Sequence, residues 1–118
     1  MMIITNQRAK RAILSALADQ EMVKILDCVM DTSLSVNEIM REQNIPYSTA
    51  YRKTKWLLDE GLLVVSKIDI SPDGKKSSLV HAVLRSIDIK YKRDNISIEA
   101  EQNVDVVRKV MEKFFSIE

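Results

Sequence analysis

Apolar residues recur with a helical period along the first half of the chain and with a strand period along much of the second. Between about Asn6 and Leu17, Ala9, Ile13, Ala16 and Leu17 fall on one face while Arg8, Lys10 and Arg11 lie elsewhere, which predicts a first short helix. Asp19 is placed to cap a second helix running to about Met30, with Met22, Ile25, Leu26 and Val29 as its buried stripe. Ser35-Val36-Asn37-Glu38 has the form of a capping box. The serine hydroxyl accepts from the amide of residue 38, and the glutamate reaches back to the amide of residue 35. The helix it opens, with Val36, Ile39 and Met40 inward, should end near Gln43. Asn44-Ile45-Pro46 is then a turn, because a proline disfavours helical geometry in the residue before it. Ile45 is expected to plug that turn. A longer helix begins near Pro46 or Tyr47, with Pro46 suited to the first turn. It turns Ala50, Thr54, Leu57 and Leu58 inward and stops at Gly61, the residue best able to adopt a left-handed conformation.

From there the period is two. Leu62 to Ile70 and Lys76 to Leu84 read as paired strands around Ser71-Pro72-Asp73-Gly74. Closing the hairpin on Asp73-Gly74 would set Ile68 opposite Leu79 and Val64 opposite Val83. A second hairpin follows, with Ile87, Ile89 and Tyr91 on one arm and Ile96, Ile98 and Ala100 on the other. A two-residue loop at Asp94-Asn95 would pair Tyr91 with Ile98, Ile89 with Ala100 and Lys90 with Glu99. A terminal helix from about Asn103 to Phe115 carries Val104, Val107, Met111 and Phe114 at a and d spacing, with Val110 beside them.

At 118 residues, the chain suits a single domain that buries roughly two-thirds of its unfolded surface without metal or disulfide staples. The formal net charge is +1, so any affinity for a polyanion must come from where the charges sit. Cys28 is the only cysteine, which excludes an intrachain disulfide and suits a reducing compartment. Apolar runs such as Gly61-Leu62-Leu63-Val64-Val65 are far too short to cross a bilayer, and the first residues lack the layout of a signal peptide. These features lead to the expectation of a cytoplasmic protein.

The stretch from Leu34 to Leu63 joins a Ser-initiated helix with a central Glu38-Ile39 to a turn ending in Ile45. Ser48-Thr49-Ala50-Tyr51-Arg52 follows, then a Leu-x-x-x-Gly-Leu ending at Leu57 to Leu62. Over about residues 18–84 the sequence resembles the winged helix-turn-helix domain of ArsR/MarR-like transcriptional regulators, especially the small archaeal ones. The resemblance implies an α+β, mainly helical fold. Its winged-helix core would span 18–84 with a β-wing hairpin; beyond that core the residue pattern adds a second hairpin at 85–101 and flanking terminal helices, the last, over 102–118, expected to be a dimerisation helix. The resemblance also implies a homodimer bound to double-stranded DNA, with 47–60 as the recognition helix. The residue types agree, since side chains near the start of such a helix enter the major groove. Ser48, Thr49, Arg52 and Lys53 are the candidates there, Arg52 first because its fork matches the acceptors of guanine. Tyr47 can stack on the backbone, and Lys55 suits a phosphate. Lys75 and Lys76 at the wing tip, helped by Lys67, would add phosphate contacts. A solvated basic face and a solubilising hairpin tip are the plainer readings of the same residues.

Ile13, Leu17, Val104, Val107, Met111 and Phe114 are the candidates for a dimer interface, since a winged-helix core is complete without the terminal helices. Two-fold symmetry would suit a palindromic operator. The plainer reading is that the last helix closes the protomer's own core. Trp56 and Tyr51 are expected to pack, Tyr51 partly buried. A single histidine and a single cysteine cannot form a zinc site of four cysteines, or of two cysteines and two histidines, and the cysteine clusters of ArsR-type metal sensors are missing. His81 lies in a wing strand with no nucleophile near it in sequence, and neither a phosphate-binding glycine loop nor a nucleophile elbow occurs. Neither catalysis nor a cofactor, metal or membrane partner is expected. The rival reading is a winged helix that binds protein within an assembly. The basic stretch 47–55, set against an acidic stretch from Asp94 onward, favours DNA.

Overall fold

The computed structural model describes residues 1–104, 106 and 108. The order of elements is β1 (Met2–Ile4), α1 (Gln7–Leu17), α2 (Gln20–Cys28), α3 (Val36–Gln43), α4 (Tyr47–Asp59), β2 (Leu63–Ile70), β3 (Lys76–Ala82), β4 (Leu84–Lys92) and β5 (Asn95–Gln102). This is a winged helix-turn-helix: α3 and α4 joined by a tight turn, followed by the β2–β3 wing.

The starts of α1, α2 and α3 are each set by a local hydrogen bond. The Asn6 side chain accepts from the Ala9 amide at 3.0 Å, and Asp19 accepts from the Met22 amide at 3.0 Å. The capping box is complete, with the Glu38 amide donating to Ser35 Oγ at 3.2 Å and the Ser35 amide donating to Glu38 Oε1 at 3.0 Å. Asn44 ends α3 in the left-handed region at φ 53, and Ile45 is buried in the turn as expected. Pro46 stands one residue outside α4, where its extended ψ of 145 leaves its carbonyl to accept the Ala50 amide at 2.9 Å. Gly61, at φ +80, turns the chain from α4 into the wing.

Both hairpins differ in register from the sequence expectation. In the wing, Ile68 pairs with Ser78 and Lys67 with Leu79, while Val64 pairs with His81 across a bulge between Val65 and Lys67. The loop is Pro72-Asp73-Gly74, closed by the Ser71 amide on the Lys75 carbonyl at 2.9 Å. A type I′ turn at Asp73-Gly74 would need positive φ at both residues, but only Gly74 adopts it, at +85. Pro72 suits the first central position of a turn in which one left-handed glycine follows. In the second hairpin Asp94 takes positive φ at 63, so the two-residue loop is Arg93-Asp94. Tyr91 therefore pairs with Ile96, Lys90 with Ser97 and Ile89 with Ile98. This is a shift of two along the partner strand, which keeps every side chain on its expected face.

β1, which the sequence pattern did not announce, pairs antiparallel with β5 through Met2↔Ala100 and Ile4↔Ile98, giving a three-stranded sheet of order β1-β5-β4. The buried cluster joins Ile13 and Ala16 of α1, Ile25 and Val29 near α2, Ile39, Leu57, Val80 and Ile98. Leu34 bridges to Val80 by paired backbone hydrogen bonds of 3.1 and 2.8 Å, tying the α2–α3 connection to the wing. Asn103 is fully buried and donates from Nδ2 to the carbonyls of Met30 at 2.8 Å and Ala82 at 3.1 Å. It thus joins the end of α2, the end of the wing and the residue after β5. Val104, Val106 and Arg108 are helical.

Candidate nucleic-acid interface

The α4 surface that faces solvent is narrower than the sequence suggests. Tyr47, Ser48, Tyr51, Arg52 and Lys55 are exposed, Thr49 is half-buried, and Ala50, Thr54 and Leu57 point into the core. Residues three and four apart share a helix face, so Tyr47, Ser48, Tyr51, Arg52 and Lys55 form one continuous strip. The Tyr47 and Tyr51 rings stack with centroids 6.1 Å apart. Tyr51 is half exposed, in keeping with the expectation of partial burial, and its i, i+4 spacing from Tyr47 is the sequence signal for this pair.

Lys53 leaves the strip. It is only 8% exposed and its Nζ lies 2.6 Å from Asp19 Oδ2 and 2.9 Å from Glu21 Oε1, both at the start of α2. Hydrogen bonding to Asp19, then to Glu21, raises the Lys53 pKa, and the Lys53 ammonium, helped by the Met22 amide, lowers that of Asp19. The same carboxylate caps α2 and anchors α4, so Lys53 fixes the angle between two helices. Lys55 pairs with Asp59 at 3.3 Å across one exposed turn. Arg52 is then the α4 cation with no ion-pair partner among the described residues.

At the wing, Lys67, Lys75 and Lys76 are exposed. The tip is shaped by Asp73, which accepts from the Ser71 hydroxyl and, at 3.2 Å, from the Lys75 amide. These two donors hold the Asp73 carboxyl below the usual range, the hydroxyl contributing most. His81 is buried at the wing base, with Nδ1 3.2 Å from Ser33 Oγ and Nε2 3.1 Å from the Met30 carbonyl. Ser33 also bonds Ser66 at the bulge, so this polar group sets where the wing leaves the body.

Trp56 is half-buried against the core. Cys28 is half-buried too, its thiol donating to the Ile25 carbonyl at 3.2 Å, and burial, followed by nearby Glu42, pushes its pKa up to about 11. A thiol so raised stays protonated near neutrality. Among the described residues, no group of three or more His, Cys, Asp and Glu side chains could hold a metal ion, and no helix is long and apolar enough to cross a membrane.

The expected interface residues separate. Ile13 is 2% exposed and belongs to the protomer's own core, whereas Leu17 and Val104 are 39% and 70% exposed. Val107, Met111 and Phe114 lie outside the described residues.

No family model and no curated protein matches the chain. Among solved structures, it is similar to HlyU from Vibrio cholerae N16961, with 14% identity, a TM-score of 0.45, and coverage of 96% of this chain and 98% of that one. It is also similar to the homodimeric winged helix-turn-helix DNA-binding domain of Mb0332 from Mycobacterium bovis, with 12% identity, a TM-score of 0.44, and coverage of 95% of this chain and 87% of that one. A third structure, NolR from Sinorhizobium fredii, has 11% identity and a TM-score of 0.44 over the full length of both chains.

Proposed function

We propose that this protein binds double-stranded DNA as a homodimer and regulates transcription, with α4 in the major groove and the wing on the adjacent backbone. The observation that carries this reading is Arg52. It is exposed on α4 between Ser48 and Lys55, without an ion-pair partner among the described residues, in a helix whose other interior cation is already neutralised. Arg52 reads base edges, Ser48 and Thr49 contact phosphate or bases, and Tyr47 with Tyr51 lies along the sugar-phosphate chain. Lys55, Lys75 and Lys76 supply phosphate contacts. Lys53 takes no part beyond holding α4 at its angle. In the dimer, Leu17 and Val104 contribute exposed apolar surface.

Fluorescence anisotropy with duplex DNA at several salt concentrations, alongside light scattering for mass, tests this. The expected result is binding by a dimer whose log affinity falls linearly with log salt, as counterion release requires. Arg52→Ala should weaken binding while leaving the fold intact. Absence of binding at low salt, or an affinity indifferent to both salt and Arg52, overturns the reading. Exposed Ile68 and Ile70 on the wing favour one alternative, docking on a protein partner. That would leave duplex DNA unbound and make binding of the partner sensitive to Ile68→Ser.

A further inference from the structure

Between α1, α2 and β4 lies a cavity of about 190 Å3 that opens to solvent. Its walls are apolar, with Ala16 and Leu17 from α1, Val23 and Leu26 from α2, and Leu84 and Ile87 from β4. Its polar lining is Asp27, Arg85 and Ser86. A dry apolar cavity of about 150 Å3 is enough to admit benzene. The space here therefore suits one aromatic ring or a branched aliphatic group of like size.

The polar groups set the sign of charge such a guest can carry. The Arg85 guanidinium is already engaged, its Nη2 donating to Asp31 Oδ1 at 3.1 Å and to Asn103 Oδ1 at 3.3 Å. The Ser86 hydroxyl is engaged as well, donating to Glu101 at 3.3 Å. Asp27 is exposed and has no ion-pair partner among the described residues. Among the described residues of the lining, Asp27 is thus a carboxylate without an ion-pair partner, while the cation Arg85 is already paired with Asp31. An ammonium group finds an unanswered carboxylate there, whereas a carboxylate group meets repulsion and a guanidinium whose charge is taken.

We propose that this cavity is a binding site for a small hydrophobic amine, bound as its cation, with the apolar body between α1, α2 and β4 and the ammonium on Asp27. The site is separate from the α4 strip and does not depend on DNA binding. One wall is formed by β4, the strand that continues the chain beyond the wing, so the cavity is a product of the second hairpin.

The test uses three probes that share a phenyl ring and a two-carbon chain: phenethylamine, 2-phenylethanol and phenylacetate, titrated at millimolar concentration into the 15N-labelled full chain. The expected result is saturable amide shifts at Ala16, Leu26 and Ile87. Phenethylamine should bind about threefold tighter than the alcohol, the scale of one solvent-exposed ion pair, and phenylacetate weakest. Asp27→Asn, an exposed substitution whose fold the same spectra verify, should bring the amine and alcohol to equal affinity. The proposal is overturned by absence of saturable shifts, by a preference for phenylacetate, or by an amine preference that survives Asp27→Asn. It is also overturned if the wild type is silent while a monomeric Val104→Asp variant, whose substitution lies outside the cavity, binds, because a second copy of the chain would then be the occupant.

Discussion

The chain builds two β-hairpins in succession and uses them in opposite ways. The wing is anchored only at its base, where Leu63, Val80 and Ala82 are buried; from Lys67 through Ser78 every residue is exposed. The second hairpin is braced along β5. β1 pairs along β5, and the Lys10 ammonium of α1 donates to the Ile96 carbonyl at 2.9 Å. Ile98 and Ala100 on β5 are completely buried. An isolated two-stranded hairpin is marginal in water, and a third strand over an apolar face is what makes such a unit stable. One hairpin therefore provides reach and the other support.

The largest expected effect separates them by stability. Ile98→Ala removes a buried branched side chain from the central strand and should cost about 2–5 kcal/mol. Ile68→Ala, at a half-exposed wing position, should stay within about 0.5 kcal/mol. Urea unfolding of both variants measures this, and equal losses would erase the distinction. A smaller effect separates them by function. Replacing Lys75 and Lys76 together by Ala should reduce the slope of log affinity against log salt by about two, one for each phosphate left without its lysine. Replacing Lys90 and Lys92 of the second hairpin should leave the slope unchanged; an equal reduction would place both hairpins on DNA.

The smallest effect concerns the wing tip alone. An aspartate in an unfolded chain titrates near about 3.9, and the Ser71 hydroxyl and Lys75 amide hold folded Asp73 lower. The support that Asp73 gives the tip is therefore present above the unfolded value and lost as pH falls through the folded one. The Lys75 amide resonance, followed by NMR through acid pH, should titrate below the ordinary aspartate value. A midpoint at or above that value would show that the tip turn is not held in this way.

Much of this architecture was legible because its signals are local. The capping box at Ser35 and Glu38, the caps at Asn6 and Asp19, and the Gly61 stop each depend on residues within one turn of each other. The second hairpin was legible in facing but not in register, whereas in the wing a slip of one residue near the tip set Ile68 against Ser78 and so changed the facing too. Facing follows from alternation, while register follows from which loop residue goes left-handed: Gly74 alone in the wing, and Asp94 in the second hairpin. β1 went unread because three residues are too few to show a period. Within the candidate interface, Arg52 stayed where the helical spacing put it. The fate of Lys53 could not be read from α4, since its partners Asp19 and Glu21 belong to the start of another helix, far earlier in the chain.

The pairing of β1 with β5 also has a consequence for how the chain is made. Met2 meets Ala100, so the first strand leaves the ribosome long before its partner exists. At about 5–20 residues per second the wait is roughly 5–20 s. During that interval the helices and the wing are synthesised while the body still lacks Ile98, its sheet-side filling. The second hairpin then emerges with one long edge of β5 bare, and an unpaired strand edge is a template for other chains. β1, already waiting beside α1, covers that edge from within the same molecule. The three residues of β1 thus act as a built-in guard against aggregation once β5 has been made.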